Sequence, residues 1–265
     1  MGWRHLARRR ELWWQFTVRA VEMKHRGSYL GVIWALLNPL MMLALYGVVF
    51  GVFFENRFNV LPDETGTDFA LGVFLGLILF HVIAETLSAA PVIVTSNPNL
   101  VKKVVFPLEI LPLSQLGAFW FNALVSLVLL LAGILVVGRG LTWEGVLWLP
   151  IILLPHALLS AGLALLLSAL GVFFRDITQV VTFGSQIVLY ASAVFYATTL
   201  VPPSVWSILR WNPILHTIRL ARDALLWNRP IDLDNLGYTY LTGAFVFTIG
   251  WYFFRKVQSA FADVL

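Results

Sequence analysis

The chain has 265 residues, of which 59% are hydrophobic and only 12% are charged. Soluble domains carry about a quarter of their residues charged, so this composition excludes an ordinary soluble protein and indicates a membrane protein. The absence of cysteine excludes disulfide bonds and thiolate metal sites. The net charge of +4 comes from basic residues that lie between apolar segments. That arrangement is typical of topology control and not of nucleic-acid binding.

Residues 1–29 are predicted to form an amphipathic helix at the cytoplasmic surface of the membrane. Its apolar face is marked at helical spacing by Trp13, Phe16, Ala20 and Met23. The opposite face carries the polar residues Gln15, Arg19, Glu22 and Arg26. On that face Glu22 is spaced to pair with Arg19 and with Arg26. One interpretation is a membrane-surface anchor, and a second adds that the polar face docks a cytoplasmic partner.

Residues 30–265 are predicted to form an all-α transmembrane domain. Nearly charge-free stretches reach the roughly 20 residues that a helix needs to cross hydrocarbon. They predict six transmembrane helices, near residues 30–54, 69–90, 110–137, 146–173, 178–200 and 236–254. The second stretch also contains His81 and Glu85, one helical turn apart on one face. Because intramembrane charge normally faces protein or water, we interpret them as a structural pair or a polar patch lining a pathway. A proton relay is the alternative, but it lacks a second carboxylate.

The distribution of Lys and Arg predicts that both termini lie in the cytoplasm. Basic residues precede the first span and follow the second, fourth and sixth: Arg4, Arg8, Arg9, Arg10, Arg19, Lys24, Arg26, Lys102, Lys103, Arg175, Arg255 and Lys256. On the opposite side, the first loop has one basic residue, Arg57, against several carboxylates, and the third loop has only Arg139. An even number of spans places the two termini on the same side.

Residues 97–106, between the second and third spans, are predicted to form a short cytoplasmic helix. Asn97 can cap this helix, Pro98 suits its first position and Pro107 stops it. A short capped helix between two spans is a suitable lever for a partner protein. The alternative is an ordinary connector.

Residues 201–234, between the fifth and sixth spans, are predicted to form two short re-entrant helices at the outer interface. The segment is long and rich in Trp, and Asn212-Pro213 is placed near the turn between the two helices. It also carries arginines although alternation places it outside. The alternative is therefore one extra span, which would invert the carboxyl terminus.

Sequence motifs argue against catalysis in this chain. There is no G-x-x-x-x-G-K-[ST] motif, so the chain is not expected to bind ATP through a P-loop. Asp232 and Asp234 match the D-x-D spacing of metal-dependent glycosyltransferases, but they stand alone on the predicted outer side, where nucleotide sugars are absent. A membrane glycosyltransferase is thus a rival interpretation, and no cofactor or metal is expected in the chain.

Aromatic residues in the outer halves of two predicted spans are candidates for a sugar path. Tyr46, Phe50 and Phe53 are spaced four and three apart, which puts them on one face of the first span. Phe195 and Tyr196 lie at the same depth in the fifth. Aromatic faces can stack on sugar rings without reading their sequence, which suits a sliding polymer. The alternative is an interfacial aromatic belt or contact with lipid.

The run from Arg19 to Pro39 joins a charged helix to a first span that opens with Leu-Gly-x-x-Trp at Leu30–Trp34. With Phe174-Arg175-Asp176-Ile177 and Asn212-Pro213, it resembles the permeases of type-two ABC exporters, particularly those for O-antigen, capsule and teichoic-acid chains. The resemblance covers essentially the whole chain, and the first motif is fairly specific.

This resemblance implies a homodimer paired with two copies of an ABC ATPase subunit, which binds ATP and magnesium. It implies a coupling helix with the residues Asn97, Pro98, Leu100, Val101, Lys102 and Lys103. It places the amino-terminal helix, with Arg19, Glu22 and Arg26, at the interface. The implied cargo is a lipid-linked polysaccharide that crosses the bacterial cytoplasmic membrane. An exporter of a drug or small lipid is an alternative, since the chain shows no substrate-selective motif.

Overall fold

The computed structural model describes residues 2–24, 28–49, 57–102, 106–137 and 140–265, and within these ranges the regular elements are helices. The α-helices are α1 (Gly2–Lys24), α2 (Trp34–Val48), α3 (Gly66–Ile93), α4 (Pro98–Lys102), α5 (Ile110–Val137), α6 (Trp143–Phe173), α7 (Ile177–Ala191), α8 (Pro203–Leu209), α9 (Pro213–Leu225), α10 (Leu233–Val257) and α11 (Phe261–Val264). A 3₁₀ turn, Gly31–Ile33, precedes α2.

Polar side chains fix the starts of several helices. A capping box opens α3, where Thr65 Oγ1 accepts from the Asp68 N–H at 3.2 Å and Asp68 accepts from the Thr65 N–H at 2.9 Å. Thr142 caps α6 and Asp232 caps α10 in the same sense. These caps satisfy backbone N–H groups that have no partner inside the helix.

The core of the bundle is built around α3. Every residue from Asp68 to Phe80 is buried, and the helix packs against α2, α5, α6, α7 and α9. Such a helix, apolar on all sides, belongs inside a bundle or in a membrane. The helices α5 and α6 keep exposed apolar residues on their outer faces, including Val128, Leu135 and Leu147.

The helices α6 and α10 approach each other to backbone contact. A Cβ atom at Gly250 would lie 2.2 Å from the Gly162 carbonyl oxygen, and one at Gly243 would lie 2.5 Å from the Pro155 carbonyl oxygen. Only glycine fits at these positions. Small residues of this kind are typical of helix interfaces within membranes.

Within the described ranges, three helices are long and apolar enough to cross a membrane by length and composition: Gly66–Ile93, Ile110–Val136 and Trp143–Phe173. Shorter apolar helices in the same ranges are Trp34–Val48 and Ile177–Ala191. The predicted all-helical membrane fold is therefore confirmed in its coarse form. The number of six spans stays a prediction.

The helix expected over residues 178–200 is shorter than predicted and ends at Ala191. Ala193 adopts a positive φ of 52°, and the carbonyl oxygens of Ala193 and Val194 accept hydrogen bonds from the Arg222 guanidinium. A partner from a distant helix thus turns the backbone, and local sequence carries little sign of it. The first predicted span begins as α-helix only at Trp34, and its residues 50–54 lie outside the described ranges.

Candidate functional site

The amino-terminal helix is docked on the bundle by its apolar face. Trp13 and Phe16 are half-buried and Thr17 is buried, and α1 packs along α5. The Trp13 indole N–H donates to the Leu113 carbonyl at 3.0 Å. A Cβ atom at Gly117 of α5 would lie only 2.8 Å from Thr17 Oγ1, so the two helices are in close contact at this glycine. The position of α1 is therefore fixed by the membrane helices.

Charged residues join three elements at this end of the bundle. Glu109, buried just before α5, accepts from Arg9 of α1 at 3.0 Å and lies 4.0 Å from Arg255 near the end of α10. Both arginines remain about half-exposed, so each ion pair contributes little to stability by itself. The ion pairs instead show where the helices meet, because they hold the first half of α1, the start of α5 and the end of α10 close together at one end of the bundle.

The Arg19–Glu22 ion pair predicted on the polar face of α1 is not formed, and the predicted Glu22–Arg26 pair involves a residue outside the described ranges. Arg19 and Glu22 are exposed and have no ion pair with each other, and Arg26 lies outside the described ranges. Exposed pairs at this spacing are weak, so solvent competes for both side chains. Besides the Arg9–Glu109 pair, α1 makes a second ion pair with the bundle, from Lys24 Nζ to Glu85 Oε1 of α3 at 2.6 Å. Glu85 thus makes its ion pair with Lys24, and His81, one turn away, is close enough to interact with it electrostatically.

The short helix after α3 is present and is described over Pro98–Lys102, within the predicted range 97–106, of which residues 103–105 lie outside the described ranges. Pro98 is its first residue, as predicted, whereas Phe106 is not helical and Lys103 lies outside the described ranges. The Asn97 side chain does not cap this helix: its amide donates back to the Ile93 carbonyl at 2.8 Å and so caps the end of α3.

One side of α4 is anchored and the other is free. Leu100 and Val101 are half-buried, and Val101 packs on a small apolar cluster that includes Leu165, Phe254 and Phe261. In contrast, Pro98, Asn99 and Lys102 are exposed. A short helix that is packed on the bundle by one side and exposed on the other is suited to contact with a partner protein.

Two cavities meet at the Lys24–Glu85 ion pair. The first, about 660 Å³, lies between α1, α3 and α5 and is also lined by Arg19 and Gln115. The second, about 580 Å³, lies between α2, α3 and α5 and is also lined by Tyr46. The ion pair thus stands between a cavity beside the amino-terminal helix and a largely apolar cavity within the bundle.

The structure separates the members of the predicted aromatic path. Tyr46 lines the 580 Å³ cavity. Phe195 and Tyr196 follow the end of α7, outside any helix, and Tyr196 lines a different cavity of about 200 Å³. Phe50 and Phe53 lie outside the described ranges. The path as a whole stays a prediction.

The exposed face of α7 was not singled out from the sequence. Its polar and aromatic members recur every three or four residues: Gln179, Thr182, Phe183, Gln186 and Tyr190. Amide side chains are unfavourable against lipid tails, so this face is suited to contact with protein or water. The helical recurrence of glutamine in an apolar segment is the sequence signal that could have identified it.

At the opposite end of α3 from α4, α9 is tied to the bundle by a buried arginine. Arg222 is 3% exposed, and its guanidinium donates to the carbonyls of Gly72, Ala193 and Val194 at 3.0, 2.9 and 2.6 Å. It also lies 4.4 Å from the centre of the Phe58 ring. This one side chain positions α9 against both α3 and the end of α7.

The pKa values of two carboxylates, Asp223 in α9 and Asp232 just before α10, differ from their ordinary values. Burial raises the pKa of Asp223 above its ordinary value, although Arg219 lies 3.8 Å away. The pKa of Asp232 is lowered, because its carboxylate accepts the Asn235 backbone N–H. Asp232 of the D-x-D motif is thus used as the cap of α10. No group of three or more potential metal ligands occurs among the described residues.

The sequence matches the ABC-2 type transporter family over residues 11–226, which includes the carboxyl-terminal part of α1 and everything from there through α9. The chain belongs to this family. Because its three longest apolar helices also suit a bilayer, this ABC-2 transporter chain is a multi-pass membrane protein.

Similar proteins extend over almost the full length of this ABC-2 chain. It is 25% identical to an O-antigen export system permease protein of Klebsiella pneumoniae, with 94% of this chain and 93% of the relative covered. It is 28% identical to an O-antigen export system permease protein of Myxococcus xanthus, with 88% and 87% covered. It is 23% identical to a polysialic acid transport protein of Escherichia coli, with 92% of each chain covered.

Proposed function

We propose that this chain is the membrane permease of an ABC exporter that moves a lipid-linked, O-antigen-like polysaccharide across the bacterial cytoplasmic membrane. The observation that carries this proposal is the similarity, over about nine tenths of both chains, to relatives named for O-antigen export and polysialic acid transport. The same names favour polysaccharide over a drug or small lipid as cargo. They also favour a transport subunit over a glycosyltransferase.

The transporter is a homodimer that pairs with two copies of an ATPase subunit. Support for the dimer comes from the exposed faces of two helices. On α7 this face carries Gln179 and Gln186, and on α2 it carries exposed apolar residues that include Leu36, Leu40 and Leu45. A second copy of the chain would cover the apolar face of α2 and enclose the polar face of α7 away from lipid, and closed two-fold pairing is the common solution for such faces.

The ATPase subunit binds ATP and magnesium and contacts α4 and α1. The exposed residues Pro98, Asn99 and Lys102 support this role for α4. The exposed residues Arg19 and Glu22 support it for α1, whose opposite side is held on α5. Movement of the ATPase subunit against either helix would be transmitted directly to the bundle, because both helices are packed on it.

Both termini face the cytoplasm. The positive-inside pattern of the sequence supports this orientation. The Glu109 contacts add support, because they gather Arg9 and Arg255 at the end of the bundle where α4 also follows α3. In this orientation, α8 and α9 are re-entrant helices on the outer side.

The polysaccharide passes along the interior face of the dimer, beside α2, α3 and α7. The polar and aromatic stripe of α7 supports this path, since Gln179 and Gln186 can hydrogen-bond to sugar hydroxyls while Phe183 and Tyr190 offer flat apolar faces. Tyr46 and Glu85 line a cavity beside α2 that opens within the same protomer.

The proposal is tested by deleting the chain's gene and measuring surface polysaccharide. We expect loss of surface polysaccharide, intracellular accumulation of the lipid-linked form, and rescue by the parent chain. In nanodiscs, the complex with its ATPase should hydrolyse ATP faster with lipid-linked glycan than with a hydrophobic drug, and the chain alone should not hydrolyse ATP. A deletion strain with normal surface polysaccharide would contradict the proposal.

A further inference from the structure

A small cavity lies at the end of the bundle where α3 begins. It has a volume of about 200 Å³ and is enclosed by the segment after α7, by α8 and α9, and by the segment after α9. The rise of about 1.5 Å per residue puts roughly 30 Å between Gly72, near this cavity, and Ile93, near α4. The cavity and the coupling segment are therefore separated by about the thickness of a bilayer core.

The walls of this cavity are held in place by hydrogen bonds. Arg222 ties α9 to Gly72 and to the segment after α7. Asn212 donates to the Ala191 carbonyl at 3.1 Å, and Arg229 donates to the Val60 carbonyl at 2.7 Å. Preformed walls of this kind favour ligand binding, because little order has to be gained when the ligand enters.

Two buried polar groups on the wall lack sufficient partners. The indole N–H of Trp227 has no hydrogen-bond partner among the described residues, although the side chain is only 8% exposed. The carboxylate of Asp223, which is 6% exposed, has a single ion pair within 4 Å in the described part of the chain, to Arg219 at 3.8 Å. Buried donors and acceptors are normally satisfied, so the Trp227 N–H and the Asp223 carboxylate retain hydrogen-bonding capacity that the described residues do not use.

The cavity also carries aromatic side chains beside these groups. Tyr196 and Trp206 line it together with Trp227, and the cations Arg219 and Arg229 lie at its edge. An apolar pocket with a few polar groups is typical of small-molecule sites. The combination of flat rings, a charged acceptor and N–H donors matches the alternating apolar and hydroxyl surfaces of a sugar ring.

We propose that this cavity binds one sugar unit of the exported polysaccharide after it has crossed the membrane. The inference rests on the proposed function and extends it with a specific sugar subsite. Asp223 accepts hydrogen bonds from sugar hydroxyls, the Trp227 indole donates to a sugar oxygen, and Trp206 and Tyr196 contact the ring faces. The cations Arg219 and Arg229 would also accept a lipid phosphate, so the experiment below separates a sugar from a lipid headgroup.

The test uses the full-length chain in nanodiscs and a defined probe. The probe is a set of oligosaccharides of one to four repeat units, released by mild acid from the surface polysaccharide of the cells that express the chain. Binding is measured by calorimetry and by saturation-transfer NMR. We expect Trp227→Phe to weaken binding about fivefold, because it removes one N–H donor and keeps an aromatic ring. We expect Asp223→Asn to weaken it on the order of tenfold, because a charged acceptor is lost.

Trp143→Phe is the matched control, because Trp143 is exposed at the start of α6 and does not line the cavity. This variant should bind like the parent. Equal affinity of the parent, Trp227→Phe and Asp223→Asn for the oligosaccharides would overturn the subsite, even where gene deletion abolishes surface polysaccharide. Displacement of the oligosaccharides by phosphatidylglycerol vesicles but not by free sugar would also overturn it, in favour of a lipid headgroup. Failure of the export proposal is read separately, from the deletion strain.

Discussion

Lys24 Nζ lies 2.6 Å from Glu85 Oε1, and this ion pair joins the last residue of α1 to the membrane helix α3. Glu85 is a carboxylate within the long apolar stretch of α3, so its charge requires a partner. The pair also borders the cavities on both sides of α3. It therefore links the amino-terminal helix, which we place at the ATPase, to the interior of the bundle.

We expect Glu85→Gln and Lys24→Met each to lower the free energy of unfolding by about 1–2 kcal/mol, because each leaves one charge without its partner. Both side chains are about one third exposed, which keeps the effect below that of a fully buried pair. The double variant should recover most of the loss. Thermal unfolding in nanodiscs measures this cycle. Glu22→Gln, on the exposed side of α1, is the control, and strictly additive losses at Lys24 and Glu85 would show that the pair has no coupling.

The second prediction concerns coupling through α4. Proline at Val101 disrupts a helix at a cost of about 3 kcal/mol or more, and charge reversal at Lys102 changes its exposed side. We expect both changes, and reversal of Lys103, to abolish export while the chain is still inserted and dimeric. Surface polysaccharide and pull-down of the ATPase are the measurements. Lys256→Glu, near the end of α10, serves as the control, and normal export in the α4 variants would leave α4 as a simple connector.

The third prediction concerns two glycines of α10 whose replacement by alanine should change the stability of the protein in opposite directions. Gly250→Ala should destabilise the protein by about 2 kcal/mol or more, because the new methyl group would overlap the Gly162 carbonyl oxygen and separate α6 from α10. Gly237→Ala should be neutral or stabilising by up to about 1 kcal/mol, because its Cβ meets open space and alanine favours the helix. Thermal unfolding of the two variants checks this. Equal stability would mean that α6 and α10 adjust to the extra methyl group without cost.

The orientation of the chain in the membrane can be measured by labelling introduced cysteines, because the chain has no native cysteine. We expect Pro62→Cys, in the exposed loop before α3, to react with a membrane-impermeant maleimide in intact cells. Ser259→Cys, exposed near the carboxyl terminus, should react only after the cells are permeabilised. Labelling of both positions from outside would instead indicate an extra span and an inverted carboxyl terminus.

The parts predictable from the sequence were those determined by local patterns. Apolar length identified α3, α5 and α6, and the Asn212-Pro213 pair identified the start of α9, where Asn212 caps the helix. The end of α7 at Ala191 was not predictable, because it depends on Arg222, a residue about thirty positions further along the chain. A hydrogen bond across that separation leaves no periodic trace in the sequence.

The candidate site shows the same division. Helical spacing predicted the apolar face of α1, but spacing alone also suggested an Arg19–Glu22 pair that solvent competes away. The partner of Glu85 was missed, since Lys24 is 61 residues earlier and only the docking of α1 brings it close. Charges that meet through tertiary packing require the fold before they can be paired.

The last prediction concerns the sugar path. We expect Gln186→Ala and Tyr190→Ala, on the exposed face of α7, and Tyr46→Ala and Tyr196→Ala to slow export by several-fold, because each removes a surface that a sliding glycan can contact. Leu147→Ala is the control, since Leu147 is exposed on α6, away from this face. Export is followed as the rate at which labelled polysaccharide reaches the cell surface, with dimer and ATPase complex checked by size-exclusion chromatography. A path lined by these residues predicts slow export by an intact complex, whereas a lipid-facing role predicts parental rates. If all four variants export at the rate of the parent, neither the exposed face of α7 nor Tyr46 and Tyr196 line the path. The polar face of α7 would then serve only as a contact between the two protomers.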